Sequence, residues 1–432
     1  MVSIILIGLL VISGVGASAI SLKNPVKSTS ISEYDLVIIA PDMFSDALQP
    51  FIDHKNSVGV QTFLKTTEDI YDEFTGRDQA EQIKYFIKNV IEKQSTRYIL
   101  FVGDKNLIPM REIIVSIRPV GLNNLAFYTD NYFADIYDSD GSFCSWNDDD
   151  DQRWGEAIAY AIDNITFIDH MNLYPDIGVG RLPCKNVIEV KILINKIITY
   201  ETKTYGRYWF NRIILMAGDT FPTIWEIIEG EVITEKISQL MVPYGFEPIR
   251  LYTSNNTFKP YRINLEISKG AGFVSFSGHG NSFGVSTYPP FNENSINYDY
   301  RHIFGQFNFN KLPIVFLFAC STADPDGFSW NEHNFDCFAW SLVKKIFGGA
   351  IASIGQTTMG YLEVMDGEIV LGGDLLQLYF FESYEERSVL SDMMMSAQTK
   401  YLDRIGFDFL SVNEFILYGD PSLKIGGYPS AS

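Results

Sequence analysis

The sequence is short of the side chains that do nucleophilic and redox chemistry: 432 residues hold four cysteines and five histidines. Four cysteines cannot staple a chain of this length, so a disulfide scaffold is excluded. Positive charge is scarce as well, with 33 lysines and arginines against 53 acids and a net charge of −20. That balance excludes nucleic acid and anionic membrane surfaces as expected partners. It suits an exported protein and leaves carboxylates free for metal ions. Internal repeats and low-complexity tracts are absent from the sequence. Beyond the first twenty-odd residues, no apolar run approaches the ~20 residues needed to cross a bilayer.

What is present is a large reserve of core-forming residues. The chain is 46% hydrophobic and 14% aromatic, which excludes disorder and supports two domains or one large α/β unit. Residues 2–12 are apolar, and Ala17-Ser18-Ala19 has the small-x-small form of a signal-peptidase site. No basic residue precedes Lys23, so the expectation is a signal peptide over 1–19 or a retained N-terminal anchor. A linker rich in Ser, Thr, Lys and Pro over 20–32 follows, and the body should lie outside the cytoplasm, secreted or at the cell surface.

Short continuous apolar runs then alternate with helical spacing. DLVIIA at 35–40, YILFV at 98–102 and RIILM at 212–216 read as strands buried on both faces. Helices are expected at 44–54, 80–93, 186–202, 226–240 and 335–347, and this alternation implies a parallel sheet with crossover units. Residues 130–156 break the pattern, being crowded with Asp, Asn, Gly and Trp, and read as a long functional or metal-stabilised loop. In that loop Asp138-Ser139-Asp140-Gly141 resembles the start of a calcium loop, but the closing Glu of an EF-hand is missing. A solvated acidic loop is the competing reading.

Two apolar runs end on reactive residues. FVSFS at 273–277 leads into Gly278-His279-Gly280, and IVFLF at 314–318 leads into Ala319-Cys320. In an open parallel sheet, ligands bind beyond the carboxyl ends of strands. A Cys and a His delivered to one edge would make a nucleophile and its proton-transfer partner, a thiolate beside an imidazolium. The N–H groups of Gly280 and Cys320 could face a developing oxyanion. A buried core cysteine and an ordinary His-Gly turn explain the same residues, and spacing alone does not choose between the readings.

The set HG after one strand and AC after the next is similar to the caspase-like clan of cysteine peptidases. The chain specifically resembles the gingipain family. The resemblance is carried, in order, by YDLVIIAPDMF, YILFVGDKNLIP, TDNYFADIYDSDG, DIGVGRLP, FVSFSGHGN, FLFACSTA, NFDCFAWSLV, GGAIASIGQT and FILYGDPSLKI, from about residue 33 to 427. It implies a caspase-like α/β/α sandwich with a mostly parallel sheet over 206–428, preceded by a smaller α/β subdomain over 33–205. No long pro-segment and no appended adhesin or sorting domain are expected.

The resemblance implies a cysteine endopeptidase acting on protein or peptide substrates, with Cys320 as nucleophile and His279 as general acid. Asp219 is the nearest match to the acid that orients the His. Glu226 falls closest to the acid that holds a basic P1 residue, with Glu229 as rival, and Tyr361 matches an aromatic wall of that pocket, where the family pattern has Trp. Cys337, His302 and His333 are expected to be packing or surface residues. No cofactor is expected for the chemistry. Structural calcium is implied by similar enzymes, with Asp138 and Asp140 as candidate ligands, and the expected oligomeric state is a monomer. The alternatives are an inactive binding module on the same fold and an acyl transferase or ligase using the same pair.

Overall fold

The consecutive apolar runs become the middle of one large sheet. The computed structural model describes residues 34–117, 124–161, 164–222, 224, 226–330 and 333–429, so the expected signal peptide and linker lie outside the described residues. The sheet strands are β1 (Leu36–Ala40), β2 (Thr62–Thr66), β3 (Tyr98–Val102), β4 (Gly178–Leu182), β5 (Arg212–Ala217), β6 (Glu247–Tyr252), β7 (Phe273–Ser277), β8 (Ile314–Phe318), β9 (Ala352–Gln356) and β10 (Phe415–Tyr418). Every residue of β1, β3, β7, β8 and β9 is buried, which is why β1, β3 and β8 are apolar throughout and why none of the five alternates with exposed polar residues.

The ten strands lie in the order β6-β5-β7-β8-β9-β10-β4-β3-β1-β2. All pairings are parallel except that of β9 with β10. Strands from before residue 205 therefore lie together on one side and strands from after it on the other. The two groups meet at β10 and β4 through the pair Tyr418 and Arg181. Arg181 is fully buried there and grips Asp130 with two hydrogen bonds, 2.8 Å from Nε and 2.7 Å from Nη2.

Helices cover both faces. They are α1 (Ser45–Ser57), α2 (Gln79–Gln94), α3 (Val187–Lys203), α4 (Glu229–Met241), α5 (Pro260–Lys269), α6 (Phe338–Lys344), α7 (Gly373–Glu382) and α8 (Leu390–Ile405). Helices α4 and α8 pack on α7. From that layer Phe380 meets Phe316 and Phe381 meets Phe273, with ring centroids 5.2 and 5.6 Å apart. On the opposite face Val274, Val315 and Leu317 look toward Phe338 and Leu342 of α6. Each such side chain contributes about 1.5–3 kcal/mol by leaving water.

Capping sets where the helices begin. Asp78 accepts the Glu81 N–H at the start of α2, and Asn186 accepts those of Ile188 and Glu189 at the start of α3. In α3 the buried positions Val190, Leu193, Ile194 and Ile197 follow helical spacing. Two expected boundaries shift. The helix expected from 226 begins at Glu229, and the one expected over 335–347 is shorter, Phe338–Lys344. Between α1, α3 and the segment after β10 lies a buried ionic cluster. Lys55 Nζ contacts Glu201 at 2.8 Å and Asp420 at 2.6 Å, and His54 Nε2 meets Glu201 at 2.8 Å. Burial would lower the pKa of Lys55, but Asp420 and Glu201 outweigh it and hold the pKa above its ordinary value.

Candidate active site

Strand register brings the two reactive residues together. In the β7–β8 pair Ser277 stands opposite Phe318, and the Gly278 N–H donates to the Phe318 carbonyl at 3.1 Å. Two residues beyond that pair the chains reach His279 and Cys320. His279 opens a short strand, His279–Asn281, in a small antiparallel sheet with Gly284–Thr287 and Ile296–Asp299. Between the two turns sits Gly280. A methyl group on its Cα would lie 2.7 Å from Ala319 Cβ and 3.0 Å from the Cys320 carbonyl oxygen. Only glycine lets the His-bearing and Cys-bearing turns touch this closely. Directly after the thiol, Ser321 has a φ of 54°, a strained left-handed conformation for a residue with a side chain. The Ser321 N–H donates to Thr358 O at 2.8 Å and helps hold the turn in place.

The His279 ring is held from three directions. Nε2 lies 2.8 Å from the Thr220 carbonyl, and the rings of Phe221 and Tyr288 stand edge-on at 5.4 and 5.8 Å. A carbonyl only accepts, so Nε2 carries the proton and Nδ1 keeps the basic lone pair. Burial lowers the His279 pKa, partly opposed by the Thr220 carbonyl. Burial also raises that of Cys320, whose Sγ lies 3.8 Å from the Gly360 carbonyl. Both shifts favour a neutral thiol beside a neutral imidazole. Burial thus works against the thiolate–imidazolium pair expected from the sequence.

Asp219 does not hold the histidine. Its Oδ1 accepts the Phe221 N–H at 3.1 Å, and its backbone pairs with Tyr288, so the group on His279 is the carbonyl of the next residue, Thr220. That carbonyl is steadied by Glu229, which sequence reasoning weighed only as a pocket rival. Glu229 is fully buried, and its Oε1 accepts the N–H groups of Thr220 at 2.7 Å and Phe221 at 3.1 Å. Glu226 is exposed in the bend before α4. Tyr361 follows Gly360 and is anchored at its tip, donating its hydroxyl to Asp408 at 2.6 Å. Backbone carbonyls such as those of Thr220 and Gly360 leave no side-chain signal in a sequence, so these contacts could not have been read there.

The expected calcium ligands, Asp138 and Asp140, each make a contact through one carboxylate oxygen. Asp138 Oδ1 pairs with His170 at 2.9 Å, and Asp140 Oδ1 accepts the Ser142 N–H at 2.8 Å, closing a tight turn. The acids of this loop that do gather are Asp149, Asp151 and Glu156, with oxygen atoms within 4.8 Å of one another. Glu156 also receives Arg153 at 2.8 Å. Cys337 is buried at the start of α6, His302 closes a capping box with Asp299, and His333 is exposed.

A ten-stranded, mostly parallel sheet between helical layers, with His and Cys at neighbouring strand ends, defines a caspase-like fold. Residues 30–426 match the model of peptidase family C25, and the chain belongs to that family. It is similar to gingipain R2 of Porphyromonas gingivalis, 24% identical over 314 residues, 72% of this chain and 34% of the relative. Gingipain R1 of the same organism is 24% identical over 329 residues, 74% of this chain and 27% of the relative. The chain thus spans about a third or less of the length of these curated relatives. Among solved structures, that of the Arg-specific cysteine proteinase gingipain R matches with a TM-score of 0.67 at 19% identity, covering 93% of this chain and 80% of that one. The complex of the pro- and mature domains of Porphyromonas gingivalis RgpB matches with a TM-score of 0.63 at 20% identity, covering 90% and 79%. Among the described residues no helix is long and apolar enough to cross a membrane.

Proposed function

We propose that this chain is an exported cysteine endopeptidase that cleaves peptide bonds through Cys320 and His279. The observation that carries the reading is the junction at Gly280, where the two turns touch, together with the Thr220 carbonyl that fixes the His279 tautomer. With Nε2–H committed to Thr220, Nδ1 takes the thiol proton as Sγ adds to the substrate carbonyl carbon. The N–H groups of Gly280 and Cys320 receive the oxyanion. The imidazolium then protonates the departing amine, which breaks the C–N bond. Water deprotonated at Nδ1 releases the acyl group and restores the thiol.

The substrate class follows from charge and kinship. A net charge of −20 draws basic peptides, and a relative named for Arg specificity points the same way. Glu226, exposed ahead of α4, is the acid proposed to receive a basic P1 side chain, with Tyr361 nearby in sequence to the Cys320 contact at Gly360. Structural calcium, implied by the family, would find oxygen donors at Asp149, Asp151 and Glu156 in preference to Asp138 and Asp140. Export rests on the apolar 2–12 stretch and its small-x-small site. One experiment tests the set: a P1 peptide library is digested by the wild type, Cys320→Ala and Glu226→Gln, with and without EDTA. Turnover after Arg or Lys that vanishes in Cys320→Ala is expected. Equal turnover in Cys320→Ala ends the cysteine-peptidase reading, and an unchanged P1 profile in Glu226→Gln removes that residue from the pocket.

A further inference from the structure

Behind His279, two helices drive their first turns into the sheet. Helix α4 begins Glu229-Gly230 and helix α7 begins Gly373-Asp374. Both glycines are pressed against their neighbours. A methyl on Gly230 would lie 2.6 Å from Gly218 O and 3.0 Å from Ser277 O, and one on Gly373 would lie 2.6 Å from the Phe318 ring. The approach carries the two adjacent acids to the same place, behind the carboxyl end of β7. Glu229 and Asp374 are both fully buried, and beside Asp374 lie Ser277 and Glu229.

The hydrogen bonding there is incomplete in an informative way. One oxygen of Glu229, Oε1, is used twice, by the N–H groups of Thr220 and Phe221. Among the described residues, Glu229 Oε2 and the hydroxyl of Ser275 have no hydrogen-bond partner, and the one polar side chain besides Glu229 that bears on the Asp374 carboxyl is the neutral Ser277 hydroxyl. No lysine, arginine or histidine forms an ion pair with either acid among the described residues. Two buried neighbouring carboxyls without a cation cannot both be charged. The N-terminal dipoles of two helices stabilise one negative charge between them. Glu229 is the better holder of that charge, because it already accepts two backbone N–H groups. Burial raises the pKa of both acids, and for Asp374 the neighbouring Glu229 raises it further.

We infer that Asp374 is a positioning residue for His279: as the protonated member of an acid pair it donates to Glu229, which anchors the Thr220–Phe221 turn whose carbonyl holds the imidazole. The chain of contacts runs Asp374, Glu229, Thr220 N–H, Thr220 carbonyl, His279 Nε2. Asp374 touches neither substrate nor thiol, and its effect on turnover passes through the ring orientation. The inference rests on the reading of His279 as the general acid–base.

The test compares Asp374→Asn, which keeps a donor of the same size, with Asp374→Leu, which removes it. Peptide hydrolysis should show kcat lowered about tenfold or more in Asp374→Leu with KM within about twofold, while Asp374→Asn stays within about threefold of wild type. Nitrogen-15 NMR of labelled histidine supplies a readout independent of turnover. Wild type should show neutral His279 protonated at Nε2, and Asp374→Leu a mixture of tautomers. A folded Asp374→Leu with wild-type kcat and an unchanged tautomer overturns the inference and leaves the peptidase reading intact. A wild type that cleaves no peptide, but whose His279 tautomer still shifts in Asp374→Leu, sinks the peptidase reading instead. Should Asp374→Leu not fold, Asp374→Ala is read in its place, with the same fall in kcat and the same tautomer mixture expected, and wild-type values of both in folded protein overturn the inference.

Discussion

At Cys320 and His279, burial works against charge on both members of the pair. Burial raises the thiol pKa and lowers the imidazole pKa, so under the proposed mechanism proton transfer would accompany attack. This gives a pH signature. Alkylation of Cys320 by iodoacetamide should climb as pH rises through and beyond the ordinary thiol range near ~8.5, with no plateau in the neutral range. Rates that level off below pH 7 would mean a resting thiolate and contradict the neutral pair. At this scale the sequence told most where side chains, not backbone groups, occupy the strand ends. His279 and Cys320 were legible because each ends an apolar run. The histidine's partner was not legible, because it is the peptide carbonyl of Thr220, one residue past the acid that the pattern pointed to. Glu229 was hidden for a related reason: a Glu at a helix start reads as a solvated cap, and nothing local reveals that the first turn of α4 is buried.

Elements were read best where burial is two-sided. The runs at Phe273–Ser277 and Ile314–Phe318 form strands with the expected limits, since every residue in them is core. Ends governed by capping were harder. The α4 start moved from 226 to Glu229, at a residue with no side-chain cap, whereas α3 starts where Asn186 says it should. Asn186 accepts two orphan N–H groups, at 3.1 and 3.0 Å, so Asn186→Ala should cost about 1 kcal/mol of stability. Urea unfolding checks this: the midpoint should fall with the slope unchanged. No drop would mean that tertiary packing alone fixes that end. The small sheet that turns His279 back was missed altogether, because strands as short as His279–Asn281 carry too few residues to show alternation.

For the whole molecule, the composition announced an α/β unit, but not that its two strand groups share one sheet. That outcome depends on the pair Tyr418 and Arg181, which no periodicity marks. The same region is tied by Lys55, which meets Glu201 and Asp420 with both partners fully buried. Lys55→Met would leave buried Asp420 without its cation and Glu201 with His54 alone, and about 3–5 kcal/mol of stability should be lost. A urea melt that moved by less than 1 kcal/mol would show the cluster to be idle.

The place of β10 in the sheet has a consequence for the order in which the molecule is made. This strand is the last of the ten in sequence, yet it lies between β9 and β4, in the interior of the sheet. The residue before it, Glu414, is buried and receives the side chain of Gln356 at 2.6 Å, at the end of β9. A chain emerging from the ribosome or an export channel can finish β1 to β4 early and β5 to β9 later. It cannot close the sheet, or support the turn that follows Gln356 toward Gly360 and the thiol, until residues 414–418 have appeared. The turn beside Cys320 therefore lacks its Gln356–Glu414 support until residues 414–418 have been made.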